Sequence, residues 1–128
     1  MTPLFMKLNL KAQNPILIGS APASFEPEAT AVRAFTTVHT AAQPGVAYTY
    51  VLSFALSRAE LTQQAAELVR QSTPEAILWF AYPKQTSKAY KSDLNRDRCR
   101  EVLADFGLEP NRQIAIDDDW SALRFKKL

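Results

Sequence analysis

The feature that most constrains this chain is its alternation of short, continuously apolar runs with amphipathic segments of helical spacing. Asn14-Pro15-Ile16-Leu17-Ile18-Gly19 begins at a proline and stops at a glycine, as a buried strand does. Tyr48–Phe54 and Ile77–Tyr82 are dense in β-branched, aromatic and other apolar residues, and Pro83 stops the second. Continuous rather than alternating apolar character means cover on both faces of a sheet, the condition of parallel strands. Parallel neighbours need a crossover between them, usually a helix, and helical patterns stand where that rule requires.

After Tyr48–Phe54, Ser57-Arg58-Ala59-Glu60 has the spacing of a capping box, and Leu61, Ala65, Leu68 and Val69 form one apolar stripe before Thr73-Pro74. After Ile77–Tyr82, a polar loop from Lys84 to Ser92 leads to Asp93 as the expected N-cap. Cys99, Val102, Leu103 and Phe106 then make a second stripe, which Gly107 ends. A short helix is expected over Glu28–Ala34, and a further strand over Phe35–Thr40, followed by a turn at Ala41–Gly45. Arg112–Ile116 and Trp120–Phe125, joined by Asp117-Asp118-Asp119, read as an antiparallel hairpin. The expected architecture is one α/β domain over residues 1–128. It is a three-layer Rossmann-like fold on a mostly parallel sheet of about six strands in the order 2-1-3-4-6-5.

At 128 residues and 47% apolar content the chain suits one ordinary core. The net charge of +2 implies neither nucleic acid nor an anionic membrane. From Lys84 to Arg100, however, six basic residues face two acidic ones. Only Tyr90 adds an aromatic there, which argues against single-strand nucleic-acid reading. A single cysteine, Cys99, points to a reducing, cytoplasmic setting, and nothing resembles a signal peptide or a membrane span.

The blocks ILWFAYPKQTSK, SDLNRD and AIDDDWSALRF, with ILIGSAPASF near the start, resemble the bacterial family called domain of unknown function 3052. That resemblance implies a bacterial, cytosolic, single-domain protein with no assigned reaction. The inferred strand order is also similar to the core of class I methyltransferases. Those enzymes need a glycine-rich turn after strand one and usually an acid after strand two. Here the turn is Gly19-Ser20-Ala21-Pro22-Ala23-Ser24, with one glycine and a proline, and strand two ends in His39-Thr40.

Ligands of open α/β sheets bind beyond the carboxyl ends of the parallel strands. That rule gathers Ser20, Ser24, Ser57, Lys84, Thr86, Ser87 and Lys88 as candidates, the Lys84–Lys88 loop being suited to phosphate or carboxylate. No Gly-x-Ser-x-Gly elbow accompanies His39, Cys99 sits in an apolar stripe, and the three aspartates serve a turn. Trp120 is expected to cover the sheet with its indole N–H on a carbonyl, and Arg124 to pair with the acidic turn. With no catalytic constellation and no cofactor fingerprint, the reading is a non-catalytic binding or regulatory domain. It would hold an anionic small molecule or a protein partner at the sheet edge and use no cofactor. The alternative is a reduced methyltransferase-like enzyme with an atypical cofactor site.

Overall fold

In the computed structural model, which describes residues 1–128, the apolar runs become the centre of one six-stranded sheet. Its strands are β1 (Ile16–Gly19), β2 (Val38–His39), β3 (Tyr48–Phe54), β4 (Ser72–Pro83), β5 (Leu108–Ala115) and β6 (Trp120–Lys127). The order is β2-β1-β3-β4-β6-β5, with β1 parallel to both β2 and β3, β3 parallel to β4, and β6 antiparallel to its two neighbours. The expected order and the closing hairpin are therefore what the chain adopts.

Strand alternation divides the core into two layers. Leu17, Val51, Leu78, Phe80 and Leu123 face helices α3 (Arg58–Arg70) and α4 (Arg96–Ala104), whose buried stripes are Leu61, Ala65, Leu68 and Cys99, Val102, Leu103. Ile16, Ile18, Tyr50, Leu52, Trp79, Trp120 and Ala122 face the other way, toward α1 (Pro3–Lys7) and α2 (Glu26–Val32). Helix α1 was no part of the expectation. It brings Phe5 and Leu8 to full burial, and the Leu8 carbonyl accepts from Tyr50 Oη at 2.9 Å and Trp79 Nε1 at 2.8 Å.

Several expected details differ. Strand two shrinks to Val38–His39 because the amides of Arg33, Ala34, Phe35 and Thr36 still bond back to Ala29, Ala31 and Val32, so the chain leaves α2 late and Phe35 points into solvent. Strand four starts at Ser72, since a register break against Tyr48 and Tyr50 absorbs Pro74. Asn95 rather than Asp93 caps α4, accepting from Arg98 N at 2.8 Å. Asp93 instead accepts from Arg58 N at 2.9 Å, at the start of α3. The Trp120 indole N–H is buried without a partner, and Arg124 donates to Asn9 at 3.2 Å rather than to an aspartate.

Candidate functional site

The chain leaves β1, runs out to β2, and returns across β1 to β3, so the strand order reverses between β1 and β3. That reversal opens a crevice at the carboxyl ends. The return is made by residues 40–47 without a helix, and only Ala42 and Val46 of that loop pack onto the core. The α3 face of β1 is thus left partly uncovered. A cleft of about 280 Å³ lies there, lined by Leu17, Gly19 and Ser20 of β1 and its turn, Thr40, Ala41 and Ala42 of the return loop, Ser53 of β3, and Glu60, Gln63, Gln64, Glu67 and Leu68 of α3.

The charge of this cleft is one-sided, with two carboxylates and no lysine, arginine or histidine in its lining. Gln64 is held by its neighbours, accepting from Ser53 Oγ at 2.7 Å and donating to the Phe54 carbonyl at 2.8 Å. Ser20 stands at φ 57, a left-handed conformation uncommon outside glycine and a pointer to function where it occurs beside a cavity. Ser20 and Thr40 also line a second cleft of about 250 Å³ on the α2 face, with Ile18, Glu26 and Arg33. Arg33 bonds Glu26 at 2.8 Å there, and that bond, with one from Thr30, lowers the Glu26 pKa. The carboxyl edge of β1 and β2 is therefore open on both faces, with Ser20 and Thr40 between.

The sequence-derived candidates do not converge on one place. Lys84 and Ser87 line a separate cleft beyond β4 with Tyr90 and Lys91, and Lys84 and Thr86 line another with Tyr82, Arg96 and Gln113. No cavity is shared by Ser20 and Lys84. Ser24 and Lys88 are exposed and line none, and Ser57 caps α3 by accepting from Glu60 N at 3.1 Å. Ser87 is a strut of the loop, donating to Asp119 Oδ1 at 2.8 Å and accepting from Tyr90 N at 3.1 Å. Sequence reasoning passed over Glu60, Gln63 and Glu67, because polar residues on a helix look like any solvated face. The signal that finds them is α3 following the strand at the reversal.

His39 is a strand-end residue whose Nδ1 lies 2.6 Å from Tyr48 Oη, and that oxygen also accepts from Gln43 N at 2.9 Å. The pair anchors the return loop. Cys99 is buried in the α4 stripe, where desolvation pushes its thiol pKa up to about 12. Asp117 organises the β5–β6 turn by accepting from Asp119 N and Trp120 N.

No family model matches the chain, and no curated protein does either. Solved structures do. Magnesium protoporphyrin IX methyltransferase from Synechocystis, determined with bound S-adenosylhomocysteine, is 12% identical with a TM-score of 0.65, over 98% of this chain and 78% of that one. A SAM-dependent methyltransferase from Aquifex aeolicus is 11% identical at a TM-score of 0.68, over 95% and 86%. An N-methyltransferase from Bradyrhizobium japonicum is 10% identical at 0.64, over 95% and 91%. The fold is thus the methyltransferase-like form of the Rossmann architecture. This finding overturns the expectation of a non-catalytic anion-holding or regulatory module and favours the methyltransferase-like alternative. The acidic lining of the reversal-point cleft is unsuited to an anion at that place.

Proposed function

We propose that the chain is a reduced methyltransferase-like enzyme that binds S-adenosylmethionine at the carboxyl ends of β1 and β2. The observation that carries this reading is the cleft at the strand reversal, with Glu60 and Glu67 in its lining and no cation. A nucleotide phosphate does not suit it, because Gly19 is the only glycine of the turn and Pro22 has no N–H to offer. S-adenosylmethionine carries no phosphate. Its ribose hydroxyls and adenine amine are donors, and its sulfonium is a cation, so an acceptor-rich cleft matches it in sign.

Glu60 and Glu67 would take the role that an acid after β2 plays elsewhere, which Thr40 cannot. Leu17, Ala41, Ala42 and Leu68 supply the apolar walls on which a purine rests. Arg33, which lines the second cleft and is bonded there to Glu26, is the one cation in the linings of these two clefts. When bound, the cofactor supplies an electrophilic methyl group. We also place the chain with domain of unknown function 3052 on the blocks quoted above. Its one unpaired thiol supports a reducing, cytoplasmic setting.

Isothermal titration calorimetry with S-adenosylmethionine and S-adenosylhomocysteine tests the assignment. Both are expected to bind, and Glu67→Gln, an exposed position that leaves the fold alone, is expected to weaken the sulfonium form more than the neutral thioether. Absence of heat with either compound at millimolar concentration would overturn it.

A further inference from the structure

Three cations line a polar groove two strands away from the reversal-point cleft, and none of them is paired. The two clefts beyond β4, about 500 and 560 Å³, share Lys84 and Gln85 and together make this groove, with Lys91 in one and Arg96 in the other. The ion pairs of the protein are Arg33–Glu26 and Arg58–Glu101, so these three have no carboxylate within bonding distance. Asp97 is the one acid in the lining. The floor is polar and buried, formed by Tyr82 at 5% exposure and Ser121 at 8%. Tyr82 Oη accepts from Gln113 Nε2 at 3.2 Å, and burial keeps that phenol protonated.

The groove is also built before any ligand arrives. Ser87 is tied to Asp119, Ser92 Oγ donates to the Leu56 carbonyl at 2.7 Å, and Asp93 holds Arg58 N. A loop anchored at three points loses little entropy on binding. Tyr82 and Ser121 point to the face of the sheet that carries α3 and α4, the same face as the acidic cleft. Gly19 of β1 and Pro83 of β4 are separated by β3 alone, so the two sites stand about 10 Å apart at ordinary strand spacing. Charge is thus divided along one edge, acidic at β1 and basic beyond β4.

We propose that the Lys84 groove is the methyl-acceptor site and that the acceptor is a small molecule bearing a carboxylate or phosphate. This rests on the cofactor reading above. In the transfer, the acceptor's nucleophilic lone pair takes the methyl group, the carbon–sulfur electron pair returns to sulfur, and the acceptor's proton passes to solvent.

Heteronuclear NMR titrations of the full chain separate the two assignments. Inorganic phosphate and acetate, added at constant ionic strength, are expected to move the amides of residues 84–87 and 95–97. S-adenosylhomocysteine is expected to move those of 19–20, 40–42 and 60–68. Lys84→Ala and Arg96→Ala should each weaken phosphate about tenfold without changing S-adenosylhomocysteine binding, while Lys88→Ala, outside the groove, should change neither. Phosphate shifts spread evenly over the exposed lysines and arginines, or an equal effect of Lys84→Ala and Lys88→Ala, would overturn the acceptor site. Phosphate binding without any S-adenosylhomocysteine response would overturn the cofactor reading and the acceptor role with it.

Discussion

Cys99 and Tyr82 hold their protons more tightly in the fold than in water, because burial penalises thiolate and phenolate alike. Desolvation raises Cys99 from 9.0 to about 12 and Tyr82 from 10.0 to about 12. The unfolded chain therefore ionises first as pH rises, so it binds fewer protons than the native state and stability falls. The contribution is whole below pH 9 and disappears as pH climbs through about 12. Lys127 acts oppositely, since burial lowers its pKa and its penalty fades as pH rises toward 10.5. Urea unfolding from pH 8 upward should show a net decline, and Cys99→Ala should flatten its onset; an unchanged slope in that variant would refute the thiol's part. Gly19 gives a second case. A Cβ there meets Ser53 Oγ at 3.5 Å, an ordinary contact, so Gly19→Ala should change stability by less than about 1 kcal/mol. The added methyl sits among residues that line the acidic cleft, and if the proposed cofactor site is right, calorimetry should find S-adenosylhomocysteine affinity reduced while the melting temperature holds. Ser20 and Lys84 were readable as candidates from the rule of carboxyl ends. Glu60 and Glu67 were passed over, since on the sequence they look like any solvated helix face, although α3 follows the strand at the reversal.

Helix α3 shows what a local motif settles and what it leaves to its neighbours. The Ser57-x-x-Glu60 spacing located the helix start, and Ser57 Oγ does accept from Glu60 N. The reciprocal half is absent, because Glu60 turns toward Gln64 and lines the cleft while Asp93, from the β4–α4 loop, takes the Arg58 amide. Ser57→Ala should cost about 1 kcal/mol in chemical denaturation, the usual worth of an N-cap. Asp93→Ala should cost a similar amount and also loosen the Lys84 groove, visible as faster amide exchange over residues 84–92. Equal protection in both variants would sever the link between the α3 cap and that loop. The strands β1, β3 and β4 were readable because a doubly covered strand is apolar throughout. Strand β2 was overextended because Phe35-Thr36-Thr37 has β-propensity, yet the amides of Phe35 and Thr36 are spent on finishing α2. Propensity yields there to hydrogen bonds already committed.

Across the molecule the two layers are unequal, and the thinner one depends on the first ten residues. Long helices cover the α3–α4 face, whereas the opposite face is sealed by α2 and by α1, which has only five residues. Thr2 as N-cap and Pro3 at the first helical position mark the start of α1, but so short a helix is not stable by itself and exists through what it covers. Phe5 and Leu8 are fully buried and Leu10 nearly so, each worth about 2 kcal/mol in area removed from water. Their loss would also strand two buried donors, Tyr50 Oη and Trp79 Nε1, which share the Leu8 carbonyl. Deleting residues 1–10 should therefore remove more than about 6 kcal/mol, a large part of the stability of a domain this size. Intrinsic fluorescence should shift to the red as water reaches Trp79, which is wholly buried in the intact chain. The milder Phe5→Ala, which keeps the carbonyl in place, should cost about 3–5 kcal/mol without the full spectral change. A truncated chain with native stability and unshifted emission would mean that the sheet closes that face unaided, and the assignment of α1 as its seal would fail.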